Sequence, residues 1–285
     1  MKAYRKFICI ILLFGIFNSL SAQIRNPNFA KHLVDQGDYH EVIDLYKLKG
    51  KYLKSAQQDS MEFYNAWSLF HLKQLPEAII SFKKVSAGSS FYSQSCIFSS
   101  WSNLYLSHSD EALQDLYRSK QSTESDSEVF QIQKLAVLLH QRDFILADQS
   151  MNDLLHGEPF YTNSLDELNQ LLVAGLDFKP KSIALAGLFS GLLPGSGKIY
   201  AGEKGAGISS FLILAGMGGI AAENILKSGL TSWNSILFTS LFGVFYLGNI
   251  YGSMISIKTY RERFNEGYNQ AILATVLLPL RDHYR

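Results

Sequence analysis

The sequence predicts an all-α protein: a helical-repeat solenoid followed by a small two- or three-helix transmembrane domain. Three observations lead there. A short pattern recurs about every 35 residues through the first half. The second half is apolar and rich in glycine. Charge also shifts between the halves: residues 23–178 carry 13 Lys/Arg against 20 Asp/Glu, whereas residues 179–285 carry 10 against 5. The 285-residue chain nets only +1, so the boundary shows in the distribution of charge, near Lys179-Pro180-Lys181.

The first 22 residues read as an export signal. Lys2, Arg5 and Lys6 form a charged start, Phe7 to Phe17 an eleven-residue apolar run, and Ser19, Ser21 and Ala22 lead to a cleavage point before Gln23. The run is short for a membrane helix, which needs about 20 apolar residues. Cys9 lies inside it, away from any lipid-attachment position. Removal of the signal leaves Cys96 alone, and one cysteine forms no intrachain disulfide.

Four segments of the acidic half align: Gly37 to Val42, Lys73 to Ala78, Ser107 to Ala112 and Arg142 to Ala147. Their last residues are spaced by 36, 34 and 35. Four positions after each comes a large side chain: Tyr46, Phe82, Leu116 and Met151. Twelve positions before each come Ala30, Ala66, Ser100 and Leu135, the last beside Ala136. Small residues at these places let two helices approach, and the larger neighbour on the same face fills the groove. Asp59-x-x-Glu62 and Ser125-x-x-Glu128 have the form of capping boxes opening first helices. Pro76 suits the first turn of a second helix, and Ser164-x-x-Glu167 opens a further helix to about Leu176.

This pattern, over residues 26–155, resembles the tetratricopeptide repeat, a helix pair of about 34 residues. It departs from the family at Asn65 and Ser99, where an apolar residue is usual. The resemblance implies a solenoid whose concave surface binds a protein or peptide, with Tyr64, Trp67, Tyr92, Trp101 and Tyr105 as candidates to line the groove.

Residues 182–257 hold three apolar stretches: Ser182 to Ile199, Gly205 to Leu226 and Trp233 to Ile257. The last two are long enough to span a bilayer; the first could span, re-enter or lie against them. Lys258, Arg261 and Arg263 follow the third stretch. With the repeats outside the cytoplasm, three spans place these cations inside, so the charge rule favours three, against a weaker opposite pull from Lys179 and Lys181. Gly187, Gly191 and Gly195 are spaced by four, as are Gly248 and Gly252. That spacing suits close helix packing, within the chain or in a homo-oligomer.

The stretch Leu193-Pro194-Gly195-Ser196-Gly197-Lys198-Ile199-Tyr200-Ala201-Gly202 has the outline of a phosphate loop but fails it twice. Leu192 stands where the first glycine is needed and Ile199 where the metal-binding hydroxyl is needed, so no nucleotide site is expected. Pro194, Gly195, Gly197, Tyr200 and Gly202, with the later Gly248-Asn249-Ile250-Tyr251-Gly252, resemble small bacterial membrane domains of the TM2 and DUF5683-type families. Some proteins of this sort are encoded beside the membrane-insertion factor YidD. Lys198 occupies the place of the glutamine usual in that pattern. Polar groups also occur among the apolar residues. Glu223 is read as interfacial near Lys227, and Asn249 as deeper, bonding between helices. Thr259 to Arg285 reads as an amphipathic helix on or beside the membrane.

The expected division is therefore a signal peptide (1–22), a repeat domain (23–178), a transmembrane domain (179–258) and an amphipathic tail (259–285). No metal-binding cluster, nucleophile elbow or activated cysteine is legible, so no catalytic residue, metal or cofactor is expected. The function these features suggest is a scaffold or adaptor at the bacterial inner membrane, its repeats binding a periplasmic protein in envelope biogenesis or secretion. The lipid bilayer is the other expected partner, and nucleic acid is not one. The alternative is a component of a membrane transport complex with Glu223 and Asn249 in its path.

Overall fold

The computed structural model describes residues 27–49, 55–119, 127–156 and 160–283. The export signal at 1–22 and Ser125 of the second capping box lie outside the described residues. Among the described residues all regular structure is helical. The chain falls into two compact units: residues up to Leu176 together with those from Ile272 onward, and Asp177–Ala271. The division comes close to the charge boundary at 178, but residues 272–285, expected as part of a separate membrane tail, belong with the repeats.

The first unit contains four helix pairs: α1 (Pro27–Gln36) with α2 (Tyr39–Lys49), α3 (Ser55–His71) with α4 (Leu75–Lys84), α5 (Tyr92–Tyr105) with α6 (Ser109–Ser119), and α7 (Ser127–Gln141) with α8 (Phe144–Leu155). A ninth helix, α9 (Thr162–Asp177), follows. Each of α1 to α7 packs on the next, and first helices also touch across pairs, α1 on α3 and α5 on α7.

The turn within each pair is the same device used four times. Gly37, Lys73, Ser107 and Arg142 have φ of 85°, 61°, 63° and 63°. Around each, two backbone bonds close the end of the first helix; at Ser107 they run from its N–H to Leu104 O at 3.0 Å and from His108 N–H to Asn103 O at 2.9 Å. This is the Schellman arrangement, which satisfies carbonyls that a helix end leaves bare. Only Gly37 adopts the left-handed conformation without steric cost; each of the other three carries about 1–2 kcal/mol of it.

The small residues of the recurring pattern sit where the helices touch. Ala30, Ala66, Ser100 and Leu135, and Val42, Ala78, Ala112 and Ala147, are fully buried. Phe82, Leu116 and Met151 are buried beside them, and Tyr46 is half-buried. Asn65 and Ser99, polar where an apolar residue was expected, are matched within their own pair. Asn65 Nδ2 donates to Ser81 Oγ at 2.9 Å, and Ser99 Oγ to Asp115 Oδ2 at 2.5 Å.

Two helix starts differ from the capping reading. Helix α3 begins at Ser55, so Asp59 lies in its second turn. There its carboxylate accepts the N–H and hydroxyl of Ser86, tying α3 to the end of α4. Helix α9 begins at Thr162, so Ser164 lies inside it. Pro76 does occupy the first turn of α4.

The second unit holds α10 (Ile183–Leu192), α11 (Ser196–Ala201), α12 (Lys204–Ser228) and the larger part of α13 (Trp233–His283). Helices α12 and α13 are long and apolar enough to cross a membrane. The first apolar stretch is not one such helix. It breaks at Leu193-Pro194-Gly195, leaving ten residues in α10. Ten residues rise about 15 Å, half of a hydrocarbon layer of about 30 Å.

Asp115, 2% exposed, ties the third pair together. It receives Ser99 Oγ, and Asn103 Nδ2 at 2.8 Å, and it faces Lys83 Nζ at 3.2 Å and Arg118 Nη1 at 3.3 Å. Asp115→Ala strands buried donors and removes the counter-charge of two cations. It is expected to cost about 3 kcal/mol, seen as a fall of roughly 5–10 °C in the thermal midpoint of the detergent-solubilised chain. The exposed Glu77→Ala control is expected to stay within about 0.5 kcal/mol of wild type. Equal midpoints for the two variants would mean that Asp115 has no organising role.

Candidate functional site

The repeats bring the aromatic residues of α3 and α5 together. Phe63 stacks on Phe91 at 4.5 Å, Trp67 meets Phe98 edge-on at 4.7 Å, and Phe70 meets Trp101 at 5.2 Å. Trp101 lies along Tyr105 at 5.5 Å, and Lys73 Nζ stands 5.6 Å above the Trp101 ring. Of the five groove candidates, Tyr64, Tyr92 and Trp101 are buried, Trp67 is half-buried, and Tyr105 is 49% exposed. Three of the five therefore offer little surface to a partner. Rings at helical spacing fill the seams between helices first, because each removes a large apolar area from water.

The face carrying Trp101 is already occupied, by the C-terminal part of the chain's own last helix. Trp101 Nε1 donates to Leu273 O at 3.4 Å, and Thr275 Oγ1 donates to Glu167 of α9 at 2.9 Å. Tyr268, Ile272, Val276 and Leu280 recur every four residues, and all are buried. Burial holds the His71 imidazole on α3 below its ordinary pKa, and the cations of Arg281 and Lys73 add to the effect. The stripe was visible in the sequence as amphipathy, and from Ile272 onward its residues belong to the first unit. Cys96, on α5, is buried, and its thiol is pushed up to about 11 by that burial, so it is a poor nucleophile.

In the second unit the glycine-rich motif makes a tight crossing of α10, α11 and α12. Gly195 has φ of 82°, and a Cβ there would lie 2.0 Å from Gly207 O. A Cβ on Gly197 would lie 2.1 Å from Ala186 O. Gly202 also has positive φ and ends α11. The Tyr200 hydroxyl accepts the Ser182 N–H at 3.2 Å, and its ring meets Phe189 edge-on. Pro194 sits in the turn, half-buried. Gly252 faces the Lys198 side chain, while Gly248 has no neighbour within 4 Å of where a Cβ would stand. Tyr251 is 66% exposed. Gly187 packs against Met254 of the same chain.

Polar groups form a seam through this unit. Ser190 Oγ pairs with Ser253 Oγ at 2.6 Å and accepts the Gly197 N–H at 3.0 Å. Ser256 donates to Glu203 at 2.8 Å, and Lys198 Nζ donates to Ser210 Oγ at 2.8 Å. Arg261 holds the Lys181 carbonyl, and Lys181 Nζ lies 4.5 Å above the Tyr260 ring. Glu223 and Lys227 form an exposed ion pair at 2.5 Å. Asn249, expected to bond between helices, is buried with both side-chain polar atoms unpartnered among the described residues. Among the described residues no group of His, Cys, Asp and Glu is arranged to hold a metal ion.

Comparison with protein-family models, with curated proteins and with solved structures finds no match for this chain. The sequence places Glu167 at a helix start and does not single out Thr275, so the bond between them that ties the C-terminal helix to α9 escaped it. A four-residue stripe of Tyr268, Ile272, Val276 and Leu280 says that a face will be buried but does not say against what.

Val276→Asp places a carboxylate at a fully buried position of that helix. It is expected to cost about 3 kcal/mol and to free the segment. Tryptophan emission should shift to the red as Trp101 meets water, and trypsin should cut after Arg281. Emission and cleavage like those of wild type would show that the segment does not cover this face in solution.

Proposed function

We propose that this protein is a membrane-anchored adaptor with a tetratricopeptide-like repeat arm, which holds a protein partner at the inner membrane during envelope biogenesis or secretion. The observation that carries the reading is the seating of residues 272–281 on the repeats. The arm accepts an amphipathic helix along the face that includes Trp101, the mode by which helical grooves take peptides. With that face taken by the chain itself, the outer partner meets the second helices. There Ile80, Tyr117, Ile145 and Leu146 are exposed, and Tyr117 borders an open cavity of about 590 Å³ with Asp110, Gln114 and Arg118.

The same packing bears on topology. Residues 27–176 and 272–283 belong to one folded unit, so they lie on one side of the bilayer, and the chain between them crosses an even number of times. Helices α12 and α13 supply two crossings. Lys179, Lys181, Lys258, Arg261 and Arg263 then flank the membrane on the side of the repeats. That placement pulls the repeats toward the cytoplasm, whereas the N-terminal export signal sends them out. The first apolar segment to emerge usually dominates orientation, and we assign the repeats to the periplasm on that ground.

Two experiments test this reading. For the fold across the membrane, single cysteines replace Glu77, Ser228 and Arg263 in a chain whose own two cysteines are serine. A membrane-impermeant maleimide is expected to reach positions 77 and 263 from the periplasm and position 228 only after lysis. Opposite sides for 77 and 263 would restore three crossings; the reverse pattern would place the repeats in the cytoplasm. For the partner, a photo-crosslinking residue at Tyr117 or Ile145 is expected to trap one discrete adduct, absent when it stands at the exposed Glu41. Adducts of the same size and yield from all three positions would sink the adaptor reading.

A further inference from the structure

Asn249 is 6% exposed, yet neither its Oδ1 nor its Nδ2 has a hydrogen-bond partner among the described residues. Burying an amide without partners costs several kcal/mol in an apolar medium, where water offers no substitute. A buried amide left so calls for an explanation, and a bound polar group supplies one. Asn249 borders a cavity of about 390 Å³ in the second unit, together with Lys198 and Ser210. Lys198 Nζ gives one hydrogen bond, to Ser210 Oγ. No carboxylate lies within ion-pair distance of it among the described residues. The cavity thus presents a cation with donors to spare and one hydroxyl, and the Asn249 amide, unpartnered and closed off from water, lies in its wall, a side-chain rotation away from a bound headgroup.

Its remaining walls are apolar. Ile213 and Phe245, 55% and 50% exposed, stand at the mouth, and Leu214 closes the inside. The two sets of groups ask for different ends of one molecule. An oxyanion would accept from Lys198 and the Asn249 Nδ2, which favour charged acceptors. A hydroxyl on the same headgroup would donate to the Asn249 Oδ1. Hydrocarbon would run out over Ile213 and Phe245.

We infer that the cavity formed by Lys198, Ser210 and Asn249 is a binding site for the headgroup of an anionic amphiphile, a phosphodiester lipid bearing a hydroxyl. The site lies within Asp177–Ala271 and goes beyond the adaptor reading. It requires no partner on the repeats, so either can fail without the other.

The test uses the full chain in a neutral detergent. Native mass spectrometry follows titration with phosphatidylglycerol, with phosphatidylcholine and with glycerol 3-phosphate. The wild-type chain is expected to retain one phosphatidylglycerol at roughly tenfold lower concentration than phosphatidylcholine, a difference of about 1.4 kcal/mol. Lys198→Gln is expected to abolish that preference and Lys198→Arg to keep it. Asn249→Leu removes an unpartnered amide from the interior, so it is expected to fold at least as well as wild type while losing roughly tenfold in phosphatidylglycerol binding. Equal retention of the two lipids by wild type, or an unchanged preference in folded Asn249→Leu, would overturn the proposal. Glycerol 3-phosphate displacing the lipid at similar concentration would overturn the lipid as the source and leave an oxyanion site.

Discussion

Close approach of helix backbones is the constraint on which both units depend. In the repeats it is met by alanine: Ala30, Ala66, Ala78, Ala112 and Ala147 lie fully buried where helices cross. In the second unit it is met by glycine, because at Gly195 and Gly197 even a methyl would collide with a carbonyl oxygen. The difference follows from what drives each assembly. In water, apolar burial drives helices together, and a methyl adds to it. Glycine lets the backbones of α10, α11 and α12 come into van der Waals contact, the distance at which dispersion is strongest.

Polar side chains follow from the same crossings. Where small residues bring backbones close, hydroxyls and amides can bridge. Asn65 with Ser81 and Ser99 with Asp115 do this in the second and third pairs. Ser190 with Ser253 does it in the glycine-rich unit. These contacts add register: a helix that slides by one residue loses its partner and leaves both groups stranded. Asn249 departs from this rule, and the departure is what singles it out.

The architecture was readable because it repeats. Gly37, Lys73, Ser107 and Arg142 align by sequence, and each adopts the left-handed turn in space. Pro76 reads correctly for a similar reason, since its ring excludes most alternatives. What stayed hidden was whatever depended on distant parts of the chain. Asp59 had the form of a cap, but a cap and a tertiary acceptor are the same carboxylate, and only the fold brings Ser86 to it. Tyr64, Tyr92 and Trp101 had the chemistry of a binding groove and lie in the interior. The amphipathic tail was visible, yet lipid and a protein face are equally apolar to a periodicity. In the second unit, ten residues of α10 and the turn at Gly195 turned an apolar run into two short pieces. Hydropathy sums over such a turn without detecting it.

The first unit is discontinuous in sequence, and this matters while the chain is being made. Its last segment, from Ile272, follows 95 residues that belong to the other unit. At a synthesis rate of about 5–20 residues per second, the repeats wait roughly 5–20 seconds for their final helix. During that interval Trp101 and its neighbours present an unfilled apolar face, open to chaperones and to other nascent chains. The first unit closes only after α12 and the apolar part of α13 have been made, so its completion reports that the two long apolar helices have been synthesised.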